Sequence, residues 1–327
     1  MNRHLARRAL GLRTDPWVRL RLATVDTGRV RDMLDAAIDD AALIQIVGET
    51  GAGKSTAFWG GLRERPGYDP ESDLVQVYRL DRDQRTIADA VSAIYRTLGT
   101  PRPTRGEDRD AQLRQVLGQA TRDRADGTRR KLLLLLDDAH HLHWRTVAAL
   151  KGLRELQWMG RGPLIGVCLL AQRDVLSRTK EIRQRADTLT MAGLAQSEVN
   201  AALDTTVVQV LTPDARAILG EHGAGRTWND LIEMVDTALI LAAQSGHRQV
   251  ERADALQATG LGLRAIAEAV GMSQAEIARQ TGSSPTQVSR ILSGERTDAA
   301  LQERIAQLLL SGTPAADTPR QAAAGGR

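Results

Sequence analysis

The stretch IVGETGAGKST, residues 46–56, decides how the rest of the chain reads. A short apolar run, residues 42–47, breaks into Gly48, Gly51 and Gly53, and Lys54, Ser55 and Thr56 follow without a gap. The spacing Gly48-x-x-x-x-Gly53-Lys54-Ser55 is that of a P-loop, placed after an expected strand and at the opening of an expected helix. In such a loop the backbone N–H groups turn inward onto phosphate oxygens, and the helix N-terminus adds partial positive charge. The cradle comprises Gly48, Glu49, Thr50, Gly51, Ala52, Gly53, Lys54, Ser55 and Thr56. Lys54 is expected to reach the β and γ phosphates of ATP, and the Ser55 hydroxyl to ligate Mg²⁺.

A magnesium nucleotide site needs a carboxylate at the end of a neighbouring strand, and LLLLLDDAHHL (132–142) supplies two. Asp137 directly follows the apolar run and is the better metal partner. Asp138, one residue on, stands where a base that polarises the attacking water is wanted. His140, His141 and His143 follow with no cysteine nearby, a pattern that reads as a solvated helix start rather than a zinc site.

Working outward, apolar strands alternate with amphipathic helices. Strands are expected over 42–47, 73–80, 131–136 and 163–170, with a short one over 187–191; helices over 26–40, 54–64, 84–98, 109–124 and 143–157. Continuous apolar strands separated by helices imply an α/β fold with a parallel sheet covered on both faces. The single cysteine, Cys168, lies within PLIGVCLL (163–170) and reads as a small core residue, so no disulfide forms within the chain. After about residue 193 only helical patterns remain. The expected division is a basic arm (1–25), an α/β core (26–193), a helical lid (194–260), a second helical domain (261–311) and a disordered tail (312–327).

The chain has 327 residues, 42% hydrophobic and 26% charged, with a formal charge of +4 and only 3% aromatics. This is the composition of a helix-rich globular protein whose charge permits a polyanionic partner without requiring one. The basic start is followed by no apolar stretch of signal-peptide length, and the longest pure apolar run, 132–136, is far too short to span a bilayer, which takes about 20 residues. A cytoplasmic protein with no membrane partner is expected.

The motifs GETGAGKST (48–56), LLLLLDDAHHL (132–142), LLAQRDVL (169–176), EIRQRADTLTMAGL (181–194) and GAGRTWNDLIEMVDTALILA (223–242) occur in the order used by compact bacterial AAA+ ATPases. Over roughly residues 25–260 the chain resembles the transposition ATPases, the B-type target proteins of Mu-like phages and the TnsC-type regulators, with ExeA-like secretion ATPases as near relatives. The resemblance implies that Gln172 is a polar sensor of the γ-phosphate and water. It makes Arg185, with Arg183 as runner-up, the arginine inserted into a neighbouring subunit's site, and Arg226 a second nucleotide sensor. The family usually has glutamate where this chain has Asp138, so hydrolysis is expected to be slow or to need a partner. MSQAEIARQTGSSPTQVSRILSGERTDAALQERIAQLL (272–309) resembles the helix-turn-helix of lambda-repressor-like regulators. Ser284, Thr286, Gln287, Ser289 and Arg290 would meet DNA while Val288, Ile291 and Leu292 face the core.

These resemblances imply an ATP- and Mg²⁺-dependent ATPase that forms a homo-oligomer, ring or helical filament, on double-stranded DNA and recruits a transposase or other recombination protein. An ATP-controlled helix-turn-helix regulator or replication-type initiator is the alternative, and an ExeA-like envelope ATPase a more distant one. Further candidates for DNA contact are Arg79, Arg82, Arg85, Arg122, Arg124, Arg129 and Arg130.

Overall fold

The computed structural model describes residues 1–18, 20, 24–65, 68, 75–80, 86–100, 109–123, 125, 128–177, 179–293 and 298–311. The expected tail, 312–327, and Arg82, Arg85 and Arg124 lie outside the described residues. The chain separates into two compact units, an α/β unit from residue 22 to 194 that also takes in Thr227–Asn229, and a helical unit built from the remaining residues. The first helix, α1 (Arg3–Ala9), belongs to the helical unit.

In the α/β unit, α2 (Val25–Asp39) precedes β1 (Leu43–Val47), and α3 (Lys54–Glu64) follows it. Then come β2 (Val75–Leu80), α4 (Ile87–Thr97), α5 (Arg109–Ala120), β3 (Lys131–Leu136), α6 (Trp144–Arg154), β4 (Gly166–Ala171), α7 (Lys180–Arg183) and β5 (Ala186–Thr190). The five strands form one parallel sheet in the order β2-β3-β4-β1-β5. The period of two along a strand sends alternate side chains into two cores. Leu132, Leu134 and Leu136 pack with Tyr78, Ile94 and Leu117 on one face, whereas Leu133 and Leu135 pack with Leu34, Ile46 and Phe58 on the other. Burial on both faces explains why β3 reads as unbroken leucine. Cys168 is among these buried residues, and burial pushes its thiol pKa up.

Several element boundaries differ from the sequence expectation, α6 ending at Arg154 rather than 157 among them, and three of the differences sit beside an identifiable local feature. The β4 ladder starts at Gly166, paired with Leu133, rather than at residue 163. A Cβ at Gly166 would lie 1.9 Å from the Ala37 carbonyl oxygen, so only glycine admits α2 this close to the strand. Helix α4 starts at Ile87 because Thr86 and Asp89 cap each other's backbone N–H groups. Helix α5 ends at Ala120, and the chain turns into an antiparallel bridge between Asp123 and Arg129.

The helical unit continues with α8 (Gln196–Thr206), α9 (Pro213–Gly223), α10 (Trp228–Gln244) and α11 (Arg252–Ala258). The last four helices are α12 (Leu263–Val270), α13 (Gln274–Thr281), α14 (Pro285–Leu292) and α15 (Ala299–Ser311). Ser273 caps α13, Gly282 ends it in the left-handed conformation (φ 64°), and Ser284 caps α14, giving a helix-turn-helix. Val288, Ile291 and Leu292 are buried with Ile277, Leu301 and Ile305.

The basic start of the chain is not free-standing. The Arg7 guanidinium donates from Nε and Nη2 to Asp236 of α10 at 2.8–3.1 Å, and its Nη1 lies 2.7 Å from Asp15. Asp236 is 1% exposed. Arg7→Ala leaves that carboxylate buried without its principal cation and is expected to remove about 3 kcal/mol from the helical unit's stability. The check is the urea midpoint of the helical circular-dichroism signal, with Arg7→Met combined with Asp236→Leu recovering most of the loss. An unchanged midpoint in Arg7→Ala would show that the pair contributes nothing.

Candidate nucleotide-binding site

The carboxyl ends of β1, β4 and β3 lie side by side in the sheet, and each delivers a different part of the site. At the end of β1 the loop turns tightly, with Gly48 N–H bonded to the Ala171 carbonyl and Ala52 N–H to the Glu49 carbonyl. Gly51 and Gly53 have φ of 82° and 88°, the left-handed region that favours glycine. A Cβ on Gly51 would also lie 2.4 Å from the Asn229 Cβ, and the Asn229 N–H donates to the Gly51 carbonyl at 3.3 Å. Gly53 is the N-cap of α3 and has no side chain, so the first-turn N–H groups of α3 meet no side-chain cap.

Lys54 and Ser55 open α3. The Lys54 ammonium donates to the Gly48 and Glu49 carbonyls, both at 2.8 Å, spanning the loop it would release toward phosphate. Burial lowers its pKa, against the opposing pull of the Asp138 and Asp137 charges. Glu49, Thr50 and Thr56 are exposed and Ala52 is buried.

Asp137 leaves the end of β3, two strands from β1. Its Oδ1 and Oδ2 both lie 3.4 Å from the Ser55 Oγ, so the loop and the strand end converge. Arg79 of β2 donates to Asp137 Oδ2 at 3.2 Å, which places this candidate DNA-contact residue on the site's carboxylate. Asp138 has φ 54°, a left-handed conformation that aspartate tolerates better than most residues. Its N–H donates to Asp137 Oδ1 at 3.0 Å, and the chain then enters a single 3₁₀ turn, Ala139–His141. His143 caps α6, its Nδ1 accepting from the Arg145 N–H. Burial, with the neighbouring His141, lowers the pKa of His140.

Gln172 directly follows β4 and is exposed between the ends of β1 and β3. The loop it opens is anchored by Gln45, a fully buried polar residue inside β1 that sequence reasoning passed over. Gln45 Nε2 donates to Asp174 Oδ1 at 2.9 Å, and its Oε1 accepts from the Val175 N–H at 2.9 Å. Asp174 Oδ1 also accepts from the Leu176 N–H, and Asp174 Oδ2 lies 3.7 Å from Arg183. A lone glutamine in an otherwise apolar strand, LIQIV, was the available signal.

Arg185 is not brought to the loop of its own chain. It precedes Ala186, which pairs with Leu43 at the start of β1, so a whole strand of roughly 16 Å separates it from the P-loop. There it bonds Glu155 at 2.6 Å and lines a cleft of about 450 Å³ with Leu43, Arg154 and Ile182. Arg226, in the helical unit, donates to the His222 and Thr259 carbonyls. On the helix-turn-helix, Thr286 and Arg290 are exposed and Ser289 is half-buried. Ser284 and Gln287 form a capping box, with Gln287 Oε1 accepting from the Ser284 N–H and hydroxyl. Arg129 Nε donates to the Thr121 carbonyl. Among the described residues no helix is long and apolar enough to cross a membrane.

Comparison with known proteins agrees with this anatomy. Residues 37–178 match the family described as AAA domain, and residues 258–320 match the family described as helix-turn-helix domain. No curated protein sequence matches the chain. Among solved structures, Cdc6p from Pyrobaculum aerophilum is similar with a TM-score of 0.55 at 14% identity, covering 94% of this chain and 90% of that one. The ORC2 protein of Aeropyrum pernix, solved as ADPNP–ADP complexes, gives a TM-score of 0.52 at 16% identity over 94% of this chain and 85% of that one. At these identities the likeness is one of fold. The chain combines an α/β AAA domain carrying a P-loop with a C-terminal helix-turn-helix domain.

Gln45→Leu keeps the volume but leaves Asp174 and the Val175 N–H short of a partner, and is expected to lower stability by about 2 kcal/mol. If Gln172 acts on the γ-phosphate and water, as the resemblance implies, the change also slows hydrolysis while leaving nucleotide affinity within about twofold, because the loop it frees carries Gln172 and not the P-loop. Stability by denaturant titration and separate measurements of nucleotide affinity and turnover check this. Unchanged turnover would mean that the loop's position is not set by Gln45.

Proposed function

We propose that the protein is an ATP-binding, slowly hydrolysing switch that assembles on double-stranded DNA. The observation that carries the reading is the convergence of the P-loop hydroxyl of Ser55 on both oxygens of Asp137. These are hard oxygen donors of the kind Mg²⁺ takes. Ser55 and Asp137 would hold the ion, which when bound neutralises phosphate charge. The backbone of Gly48–Thr56 binds and orients the phosphates, and Lys54 exchanges its loop carbonyls for phosphate oxygens. Asp138 holds the attacking water, and Gln172 orients it from the neighbouring strand end. Arg226 reports the nucleotide to the helical unit. Asp138 is one methylene shorter than glutamate, so turnover is slow until a partner completes the site.

Arg185, a strand's length from its own P-loop, is free to serve a second copy of the chain by leaving Glu155 for the neighbour's phosphate, with Arg183 beside it. Nucleotide state thereby governs a homo-oligomer, ring or filament. The DNA partner is supported by the helix-turn-helix, whose Thr286 and Arg290 are exposed with Ser289 half-buried, while Ser284 and Gln287 hold the start of the recognition helix. For the client, motif order favours a transposase or other recombination protein recruited to target DNA. The presence of a helix-turn-helix favours a second reading, an initiator or regulator that recognises its own sequence. Selection from random duplexes separates them: near-random recovery supports target selection, and a tight consensus supports the initiator.

Lys54→Ala is expected to abolish nucleotide binding and nucleotide-dependent assembly, measured with a fluorescent ATP analogue and by sedimentation. Retention of both would mean that the loop is not the site. Asp138→Glu is expected to preserve or raise turnover, and complete loss would show that the left-handed aspartate serves a different geometry.

A further inference from the structure

Among the described residues, large exposed apolar side chains are few, and one of them adjoins the catalytic carboxylates. Trp144, at the first position of α6, is 48% exposed. Its ring has His143 beside it, with centroids 5.7 Å apart and planes tilted by 37°, and the Arg145 guanidinium lies over it, 5.5 Å from the ring centroid. His141, His143 and Arg145 are themselves exposed. Across residues 139–154 the sequence contains no aspartate or glutamate. Lys151, further along α6, is neutralised by Glu181 at 2.6 Å, whereas the group around Trp144 has no such carboxylate partner in its own helix.

An exposed indole in contact with both an imidazole and a guanidinium is a partly preorganised surface. The ring offers an apolar face, the guanidinium a charge-assisted donor, and the cation–π contact fixes both in register. The occupant that complements it is a polyanion with flat or sugar-like apolar surface between its charges, because Arg145 is an exposed cation on a helix, α6, that carries no acid of its own. The patch is also mechanically close to catalysis. Asp138 is joined to α6 by one 3₁₀ turn, in which the His141 N–H bonds the Asp138 carbonyl at 3.0 Å and the Leu142 N–H the Ala139 carbonyl at 3.0 Å. A ligand seated on Trp144 therefore presses on the element that sets the Asp138 backbone.

We propose that the His141–His143–Trp144–Arg145 surface at the start of α6 is a second duplex-DNA contact, separate from the helix-turn-helix, through which bound DNA stimulates hydrolysis at Asp138. The inference rests on the proposed function, since it assumes that the protein binds duplex DNA in its ATP state.

The test uses the full chain with Mg²⁺ and a slowly hydrolysed ATP analogue, and a duplex of arbitrary sequence. Trp144→Ala with Arg145→Glu is expected to weaken duplex binding about tenfold and to lower the slope of log affinity against log salt by about one, as loss of a phosphate contact does. DNA-stimulated ATPase is lost in this variant, while basal ATPase and nucleotide affinity stay at wild-type levels. Trp144→Phe, which keeps a ring and disturbs the fold least, retains most of the affinity. Subtracting its fluorescence from that of the wild type isolates the Trp144 emission, which duplex DNA should quench. Unchanged affinity, slope and stimulation in the double variant overturn the inference and leave the proposed function standing on the helix-turn-helix. Loss of assembly in the absence of DNA would show that the patch instead meets a second copy of the chain, which also overturns it. A wild-type protein that binds no duplex overturns both.

Discussion

The Ser55 hydroxyl and the Asp137 carboxylate meet at 3.4 Å, although 82 residues of chain and one intervening strand separate them. The meeting depends on a parallel sheet, because only parallel strands end their P-loop and carboxylate at the same edge. The parallel sheet depends in turn on apolar side chains filling two faces at once, which is why β1, β3 and β4 tolerate so few polar atoms. Where β1 does admit a polar side chain, Gln45, the carboxamide is engaged at both ends and ties the loop after β4 to the strand that carries the P-loop. A satisfied buried amide of this kind is tolerated where a half-satisfied one is not.

Electrostatics at this edge are arranged around a small number of charges. Lys54 sits among loop carbonyls under the combined influence of Asp137 and Asp138, and Arg79 covers the outer oxygen of Asp137. A triphosphate entering the cradle brings more negative charge than these carboxylates supply, so it competes directly for Lys54. At the opposite edge of the sheet, Arg185 is matched to Glu155 and cannot contribute to its own site. That separation supports the proposed assembly switch, in which a second copy supplies the arginine, over a self-sufficient enzyme.

Much of the fold was legible because its signals are local. The glycine spacing of residues 48–53, the apolar strands and the Pro285 start of α14 each carry a mechanism within a few residues. The convergence of Ser55 with Asp137 was legible for a related reason, since a P-loop after one strand and a carboxylate after another lie at a common edge once the sheet is parallel. The strand order was not, because apolar runs buried on both faces do not specify their neighbours. The docking of α1 escaped for a different reason: Arg7 and Asp236 are 229 residues apart, and nothing near Arg7 distinguishes it from the solvated arginines around it. The left-handed backbone at Asp138 is likewise set by the turn into Ala139–His141 rather than by any pattern in the sequence. On the recognition helix, periodicity separated Val288, Ile291 and Leu292 from the outward face, but it did not reveal that Ser284 and Gln287 spend their polar atoms on each other.

The central claim is that nucleotide state controls the grip on DNA. The direct measurement is the affinity of the full chain for one duplex fragment, at one fixed salt concentration, with a slowly hydrolysed ATP analogue and Mg²⁺, with ADP and Mg²⁺, and with no nucleotide. The account predicts binding at least about tenfold tighter in the ATP-like state than in the other two, a coupling of the size that links two sites through an assembly. Equal affinity in all three states would contradict it.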